Sequence, residues 1–202
     1  MNDSKLPTKI VFATRNEGKL REIRQFFQGT RYEILSLDDA QVNIEVVEDG
    51  ATFAENAVKK ATEVCNVCGM LTLADDSGLE IDILNGVPGV NSASFLGKNT
   101  PYDIRNSTIL EMLDGLPPEM RGARFVCVIA IAQPGRDVLA VRSRLEGQIA
   151  LEPAGGGGFG YDPIFYVPEL KMTTAQLNVA QKNKISHRGR ALALALAELQ
   201  KI

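Results

Sequence analysis

Apolar positions along this chain change their period several times, and each change marks an element. Lys9-Ile10-Val11-Phe12-Ala13 is an apolar run of strand length and predicts a buried strand. The chain then turns polar through Thr14-Arg15-Asn16-Glu17-Gly18-Lys19. After it Leu20, Ile23, Phe26 and Phe27 recur at helical spacing, so the opening reads strand, loop, helix. Alternation over residues 32–37 predicts a second strand. Thr52-Phe53-Ala54-Glu55 has capping-box spacing and heads a helix that runs to about Cys68, where Gly69 stops it. Residues 71–75 and 79–84 predict short strands on either side of an Asp76-Ser77-Gly78 turn. Pro88-Gly89 opens a loop, and residues 101–113 predict a third helix.

Residues 124–132 and 138–145 are apolar runs joined by Gln133-Pro134-Gly135-Arg136-Asp137, a hairpin signature expected to hold the longest strands. Residues 152–162 form a glycine-rich loop and residues 163–167 a short strand. Ser186 is placed to cap a final Ala/Leu-rich helix. No repeat and no linker interrupts this order. The pattern predicts an α/β fold: a mixed twisted sheet with a long central hairpin, helices on both sides, and two lobes flanking a cleft. One domain over residues 1–202 is expected, with a lobe boundary that the pattern does not reveal.

Composition narrows the function classes. The 202 residues are 45% hydrophobic and 23% charged, which excludes a disordered or low-complexity chain. Twenty-two Lys+Arg against 25 Asp+Glu leave a formal charge of -3, so there is no global basic field for nucleic acid or anionic lipid. Any polyanion must meet a local basic pocket. Three cysteines do not make a disulfide framework, the opening MNDSKLPTK has no apolar core of a signal peptide, and the longest apolar run near the end is too short to span a bilayer. A cytoplasmic protein with neither nucleic-acid nor membrane partners is expected.

Five constellations could carry chemistry. Asn16 at a helix start with Lys19 in the first turn can cradle phosphate on unpaired N–H groups. It is not a Walker loop, because Ala13 stands where the first Gly belongs and Leu20 follows Lys19. A capped helix with a solvated Lys is the plainer alternative. Asp75 and Asp76 are hard oxygen donors suited to Mg²⁺, and strand alternation points them to opposite sides, although an Asp-rich turn would also explain them. Around the second helix, Glu55 is occupied by its cap, so Glu48 is the freer metal ligand. Lys60 need not share the face of Glu55 and could be solvated.

The fourth group is Gly155-Gly156-Gly157-Gly158-Phe159-Gly160-Tyr161-Asp162-Pro163. It contains G-x-G-x-x-G but does not open a helix, so a Rossmann reading fails. Phe159 and Tyr161 could stack a planar base, while a flexible surface loop is the alternative. Last come Lys182 and Ser186-His187-Arg188-Gly189. His187 and Arg188 open a helix, where a cation is disfavoured by about 0.3–1 kcal/mol, and charge so placed suggests an anionic or carbonyl-bearing ligand. Cys65-x-x-Cys68 reads as core packing.

Taken in order, Ala13-Thr14-Arg15-Asn16-Glu17-Gly18-Lys19 with Glu22, Gly50-Ala51-Thr52-Phe53-Ala54-Glu55-Asn56-Ala57, Ala74-Asp75-Asp76-Ser77-Gly78-Leu79, Phe159-Gly160-Tyr161-Asp162-Pro163-Ile164-Phe165 and Ile185-Ser186-His187-Arg188-Gly189 resemble the inosine/xanthosine triphosphate pyrophosphatase family. The likeness runs from about Lys9 to about Leu199. It implies a Mg²⁺-dependent homodimeric enzyme that hydrolyses ITP, dITP and XTP to the monophosphate and pyrophosphate. By this resemblance Thr14, Arg15, Asn16, Glu17, Gly18 and Lys19 form the triphosphate loop and Lys60 reaches the phosphates. Asp76 is proton acceptor and Mg²⁺ ligand, Glu48 a second metal position, and Ser77 a substrate contact. Phe159, Gly160, Tyr161 and Asp162 make the base-binding loop, and Lys182, His187 and Arg188 complete the base pocket. Ser94 departs from the pattern, standing where the family usually shows Arg. Two rivals stay open: a pyrophosphatase for another modified base, and a non-catalytic nucleotide-sensing protein.

Overall fold

In the computed structural model, which describes residues 6–201, the first apolar run becomes strand β1 (Thr8–Phe12). It has parallel partners on both sides, β2 (Tyr32–Leu35) and β3 (Thr72–Ile81). A strand so enclosed has no wet face, and Ile10, Val11 and Phe12 are fully buried. The start of the polar opening, through Lys5, lies outside the described residues. Helix α1 (Glu17–Phe27) connects β1 to β2. It begins where the Asn16 side chain accepts the Lys19 N–H at 3.0 Å, and it buries Leu20, Ile23 and Phe27. Helix α2 (Phe53–Cys68) carries the expected capping box and ends at Gly69, whose left-handed φ of 64° suits a residue without Cβ.

The remaining elements are α3 (Tyr102–Met112), β4 (Gly122–Ala132), β5 (Leu139–Ile149), β6 (Phe165–Val167), β7 (Met172–Thr173), α4 (Val179–Ile185) and α5 (His187–Leu199). Among the described residues, seven strands form one open sheet in the order β2-β1-β3-β4-β5-β6-β7. Pairing is parallel around β1 and antiparallel from β5 through β7, so the sheet is mixed, and β4 and β5 are its long central hairpin.

Several boundaries differ from the sequence expectation. Residues 71–84 are not two strands about a turn: β3 runs unbroken through Asp76, Ser77 and Gly78, and residues 82–84 are a 3-10 turn. Asp-Ser-Gly favours a turn on propensity, but here both carboxylates find side-chain donors on neighbouring helices, and tertiary context overrides propensity. Strand β2 stops at Leu35 because Ser36 and Asp39 bond each other's backbone N–H groups at 2.8 and 3.0 Å. A 3-10 turn, Asp162–Ile164, delays β6 to Phe165. Two elements were not anticipated, β7 and α4. The signal for α4 was present in Asn178-Val179-Ala180-Gln181, whose side chains form a reciprocal cap.

The chain forms two compact units, one of Met1–Asp76, Val128–Val141 and Ala191–Ile202, the other of Ser77–Cys127 and Arg142–Arg190. The chain passes from one to the other inside β3, β4, β5 and α5. In the first unit, Leu20, Ile23 and Phe27 of α1, Ala57, Ala61 and Val64 of α2 and Ala191, Leu192, Ala195 and Leu199 of α5 are buried at helical spacing. The core of the second unit joins Leu79 and Ile81, Ile109 and Leu113, Phe125, Leu145 and Ile149, and Ile164, Phe165 and Val167.

Candidate active site

In the first unit three elements converge on the acidic pair of β3. Lys19, one turn into α1, donates to Asp75 Oδ1 at 3.0 Å, and Asp75 is fully buried. Asn56 on α2 donates Nδ2 to Asp76 Oδ2 at 3.1 Å, and its own Oδ1 accepts the Gly50 N–H at 2.7 Å. That second bond fixes which end of the amide meets the carboxylate. Adjacent strand residues thus engage different helices, as alternation requires. Lys60, one turn after Asn56, is only 9% exposed and ion-pairs with Glu48 in the loop before α2. It is not a solvated lysine. Glu55 accepts the Ala51 and Thr52 N–H groups, which leaves Glu48 as the carboxylate free of capping duty.

Asp76 is the electrostatic centre of this group. Burial, at 7% exposure, pushes its carboxyl up to about 6. Lys60 and Lys19 pull it back by their positive charge, Asn56 does so by its hydrogen bond, and Glu48 pushes it up further. A carboxylate so poised is largely ionised near neutrality yet basic enough to take a proton from water. Among the described residues no three His, Cys, Asp or Glu side chains gather as a cation site. Asp76 and Glu48 are nevertheless the oxygen donors that Mg²⁺ uses, since it binds through one or two carboxylates and leaves other positions to water and substrate phosphate.

The rest of the first loop is more superficial. Thr14 Oγ1 accepts the Asn16 N–H at 3.2 Å, Arg15 pairs with Asp38 at the surface, Glu17 is exposed and Gly18 is half-buried.

In the second unit the aromatic loop and the start of α5 come together. Asp162, 2% exposed, accepts from Lys182, from Thr174 Oγ1 at 2.7 Å and from the Phe159 N–H at 2.8 Å. Gly158 precedes Phe159 with φ +69°, and a Cβ there would strike the Asp162 carboxylate. Lys182 Nζ and the Arg188 guanidinium lie 4.9 and 5.4 Å from the centroid of the half-buried Phe159 ring. Arg188 also donates to Ser77 Oγ at 2.9 Å. His187 is buried and stacked on Phe125, ring centroids 4.7 Å apart. Ser186 caps α5 by accepting the Gly189 N–H at 3.0 Å, and a Cβ on Gly189 would collide with the Asn183 carbonyl.

One expected role is corrected. Tyr161 belongs to the core, 4% exposed, edge-on to Tyr102 and donating its hydroxyl to the Ser92 carbonyl at 2.8 Å. Its ring has no exposed face, whereas the Phe159 ring is half-buried. The four glycines before Phe159 are exposed, yet Gly157 donates to the Ala175 carbonyl at 2.9 Å, so the loop is tethered. Asn56 was not singled out from the sequence as a partner of Asp76. Asn56 stood within a quoted motif, but its role needs the Gly50 contact, which no local pattern encodes.

The chain is similar to known proteins over nearly its whole length. The Ham1 family's sequence profile matches residues 10–198. The dITP/XTP pyrophosphatase of Desulforamulus reducens is 47% identical over 194 residues, covering 96% of each chain. That of Geobacter sulfurreducens is 49% identical over 187 residues, covering 93% of this chain and 94% of its own. A HAM1 protein from Coxiella burnetii superposes with a TM-score of 0.86 at 40% identity, over 96% of this chain and all of its own. With the match continuous from β1 to α5, the chain belongs to the Ham1 family.

Proposed function

We propose that this protein hydrolyses the non-standard purine nucleoside triphosphates ITP, dITP and XTP to the monophosphate and pyrophosphate, removing deaminated purines from the nucleotide pool. The observation that carries the reading is Asp76: a buried carboxylate raised to about 6, braced by Asn56, with Lys19 and Lys60 acting on it. Asp76 accepts the proton of the water that attacks the α-phosphorus, and no covalent intermediate is needed. Thr14, Asn16, Glu17, Gly18 and Lys19 at the head of α1 hold the triphosphate, with Arg15 beside them and Lys60 as a second cation. To meet phosphate, Lys19 and Lys60 exchange part of their pairing with Asp75 and Glu48 for the substrate. Asp76 and Glu48 would hold Mg²⁺, which supplies charge neutralisation on the phosphates when bound.

The second group reads the base. The Phe159 ring is the stacking surface, and the Gly160 backbone lies beside it. Tyr161 and Asp162 act from behind, one in the core and one holding Lys182. Hypoxanthine and xanthine present a 6-oxo acceptor where adenine presents a 6-amino donor, so Arg188 and His187 as donors favour the former. A mismatched partner at such a site can cost factors of up to about 10⁴–10⁵. Ser77 sits next to Asp76 in β3 and binds Arg188. The reading includes a cytoplasmic homodimer. Among the described residues, no helix is long and apolar enough to cross a membrane.

The test is pyrophosphate release from ITP, XTP, dITP, dUTP and the four standard dNTPs, with and without Mg²⁺. Fast Mg²⁺-dependent release from ITP and XTP with slow dATP and dGTP is the expected result. A dUTP preference would overturn the base assignment, and binding of ITP with no release would overturn the enzymatic reading.

A further inference from the structure

Helix α3 carries a face whose polar half has no part in the chemistry described above. Tyr102, Arg105, Asn106, Ile109 and Leu113 follow one another at the spacing of a single helical face. Ile109 and Leu113 enter the core of the second unit. The three polar members instead meet the two loops beyond them. Arg105, 2% exposed, donates to the carbonyls of Ser92, Ala93, Gly97 and Lys98 at 3.3, 2.8, 2.9 and 3.4 Å. Tyr102 packs edge-on against Tyr161, whose hydroxyl also reaches Ser92. Asn106 Nδ2 donates to the Gly160 carbonyl at 3.1 Å.

Asn106 is 7% exposed, and among the described residues its Oδ1 is buried with no hydrogen-bond partner. A buried acceptor left alone lowers stability, and a leucine of similar size would avoid that loss. The other end of the amide is engaged with the Gly160 carbonyl. The Gly160 carbonyl is held from α3 by Asn106, while the preceding residue Phe159 is held through its N–H by Asp162. The segment bearing the Phe159 ring therefore hangs between two anchors, Asp162 on one side and Asn106 on the other.

We infer that Asn106 is a positioning residue for base recognition: by holding the Gly160 carbonyl it sets the plane of the Phe159 ring. This rests on the reading of Phe159 as the surface that stacks the base. The experiment compares Asn106→Leu, Asn106→Asp and Phe159→Ala with the wild type for ITP and GTP hydrolysis, with thermal melting alongside. Asn106→Leu removes one unpaired acceptor and leaves the Gly160 carbonyl as another, so it is expected to melt near the wild-type temperature, to raise KM for ITP about tenfold with kcat within about twofold, and to narrow the preference for ITP over GTP. Asn106→Asp keeps the volume but turns an acceptor toward the Gly160 carbonyl, so it is expected to show the same KM defect, and it serves if the leucine variant does not fold. An unchanged KM in the Asn106 variants beside a raised KM in Phe159→Ala would overturn the role of Asn106 and leave the stacking surface standing. An unchanged KM in all three would overturn the stacking surface itself, and a loss confined to kcat would overturn positioning of the base.

Discussion

Asn56 and Asp76 are joined by a hydrogen bond of 3.1 Å whose direction is set from behind, because the Gly50 N–H occupies the amide oxygen of Asn56 at 2.7 Å. That bond holds Asp76 Oδ2 in one orientation. Asn56→Asp removes the donor and places a second carboxylate against the first. We expect kcat/KM for ITP to fall about 10²-fold, as for a misplaced catalytic group, with a smaller loss for Asn56→Ser. Steady-state kinetics on both variants check this.

Asp76 trades stability for function. The folded state holds its proton up to about pH 6, whereas the unfolded chain releases it near 3.8. Ionisation therefore costs the fold about 2–3 kcal/mol above pH 6, and that cost fades as pH falls toward 4, where both states are protonated. Asp76→Asn should abolish turnover, by about 10³-fold or more, and raise the melting temperature at pH 7.5, with the gain vanishing near pH 4. Wild-type-like rates would remove Asp76 from the mechanism.

The acid limb of kcat/KM should follow the same carboxylate, rising through about pH 6. Its neighbours move it in opposite directions. Glu48→Gln removes a negative charge and shifts the limb to lower pH, while Lys60→Met removes a positive one and shifts it higher. A pH series for each variant at fixed Mg²⁺ reads the signs directly.

Lys182 and Asp162 form an ion pair with both side chains almost wholly buried. Asp162→Ala strands the lysine and is expected to cost about 3–5 kcal/mol, a drop in melting temperature of about 10 °C. Adding Lys182→Met should recover part of that loss, and chemical denaturation of the two single variants and the double variant measures the coupling.

Gly189 lies where the first turn of α5 meets the end of α4, and a Cβ would collide with the Asn183 carbonyl. Gly189→Ala is expected to cost about 1–3 kcal/mol and to raise KM by displacing His187 and Arg188. Denaturation and ITP kinetics test the two effects separately.

Wherever the chemistry is local, the sequence discloses it. The Asn16 cap, the Thr52 to Glu55 box, the Gly69 stop and the central hairpin all rest on residues within a few positions of each other, and each formed as expected. The failures are long-range. Asp76-Ser77-Gly78 has the composition of a turn, and nothing nearby says that Lys19 and Asn56, 56 and 20 residues away, supply donors that keep it in a strand. Tyr161 reads as a base-stacking ring or part of a surface loop, and its place in the core is visible only once Tyr102 and Ser92 are in place. Lys60 reads as a solvated lysine on pattern alone, because its partner Glu48 precedes the helix in a loop with no periodicity. The aromatic loop and the α5 start were legible as a motif, but the brace from α3 was not, since Asn106 looks like any polar helical residue.

The passages between the two units have a consequence for how this molecule can change. They fall at Asp76/Ser77, Cys127/Val128, Val141/Arg142 and Arg190/Ala191, and every one lies inside a strand or helix. Neither unit exists as one stretch of gene, and no loop marks a place where one could be severed from the other. A protease finds hydrogen-bonded backbone at each junction, and recombination would have to exchange several segments at once to replace either unit. Lys19, Asn56 and Asp76 of the first unit and Phe159, Lys182 and Arg188 of the second are therefore inherited as a single piece, and either group has to change by substitution in place.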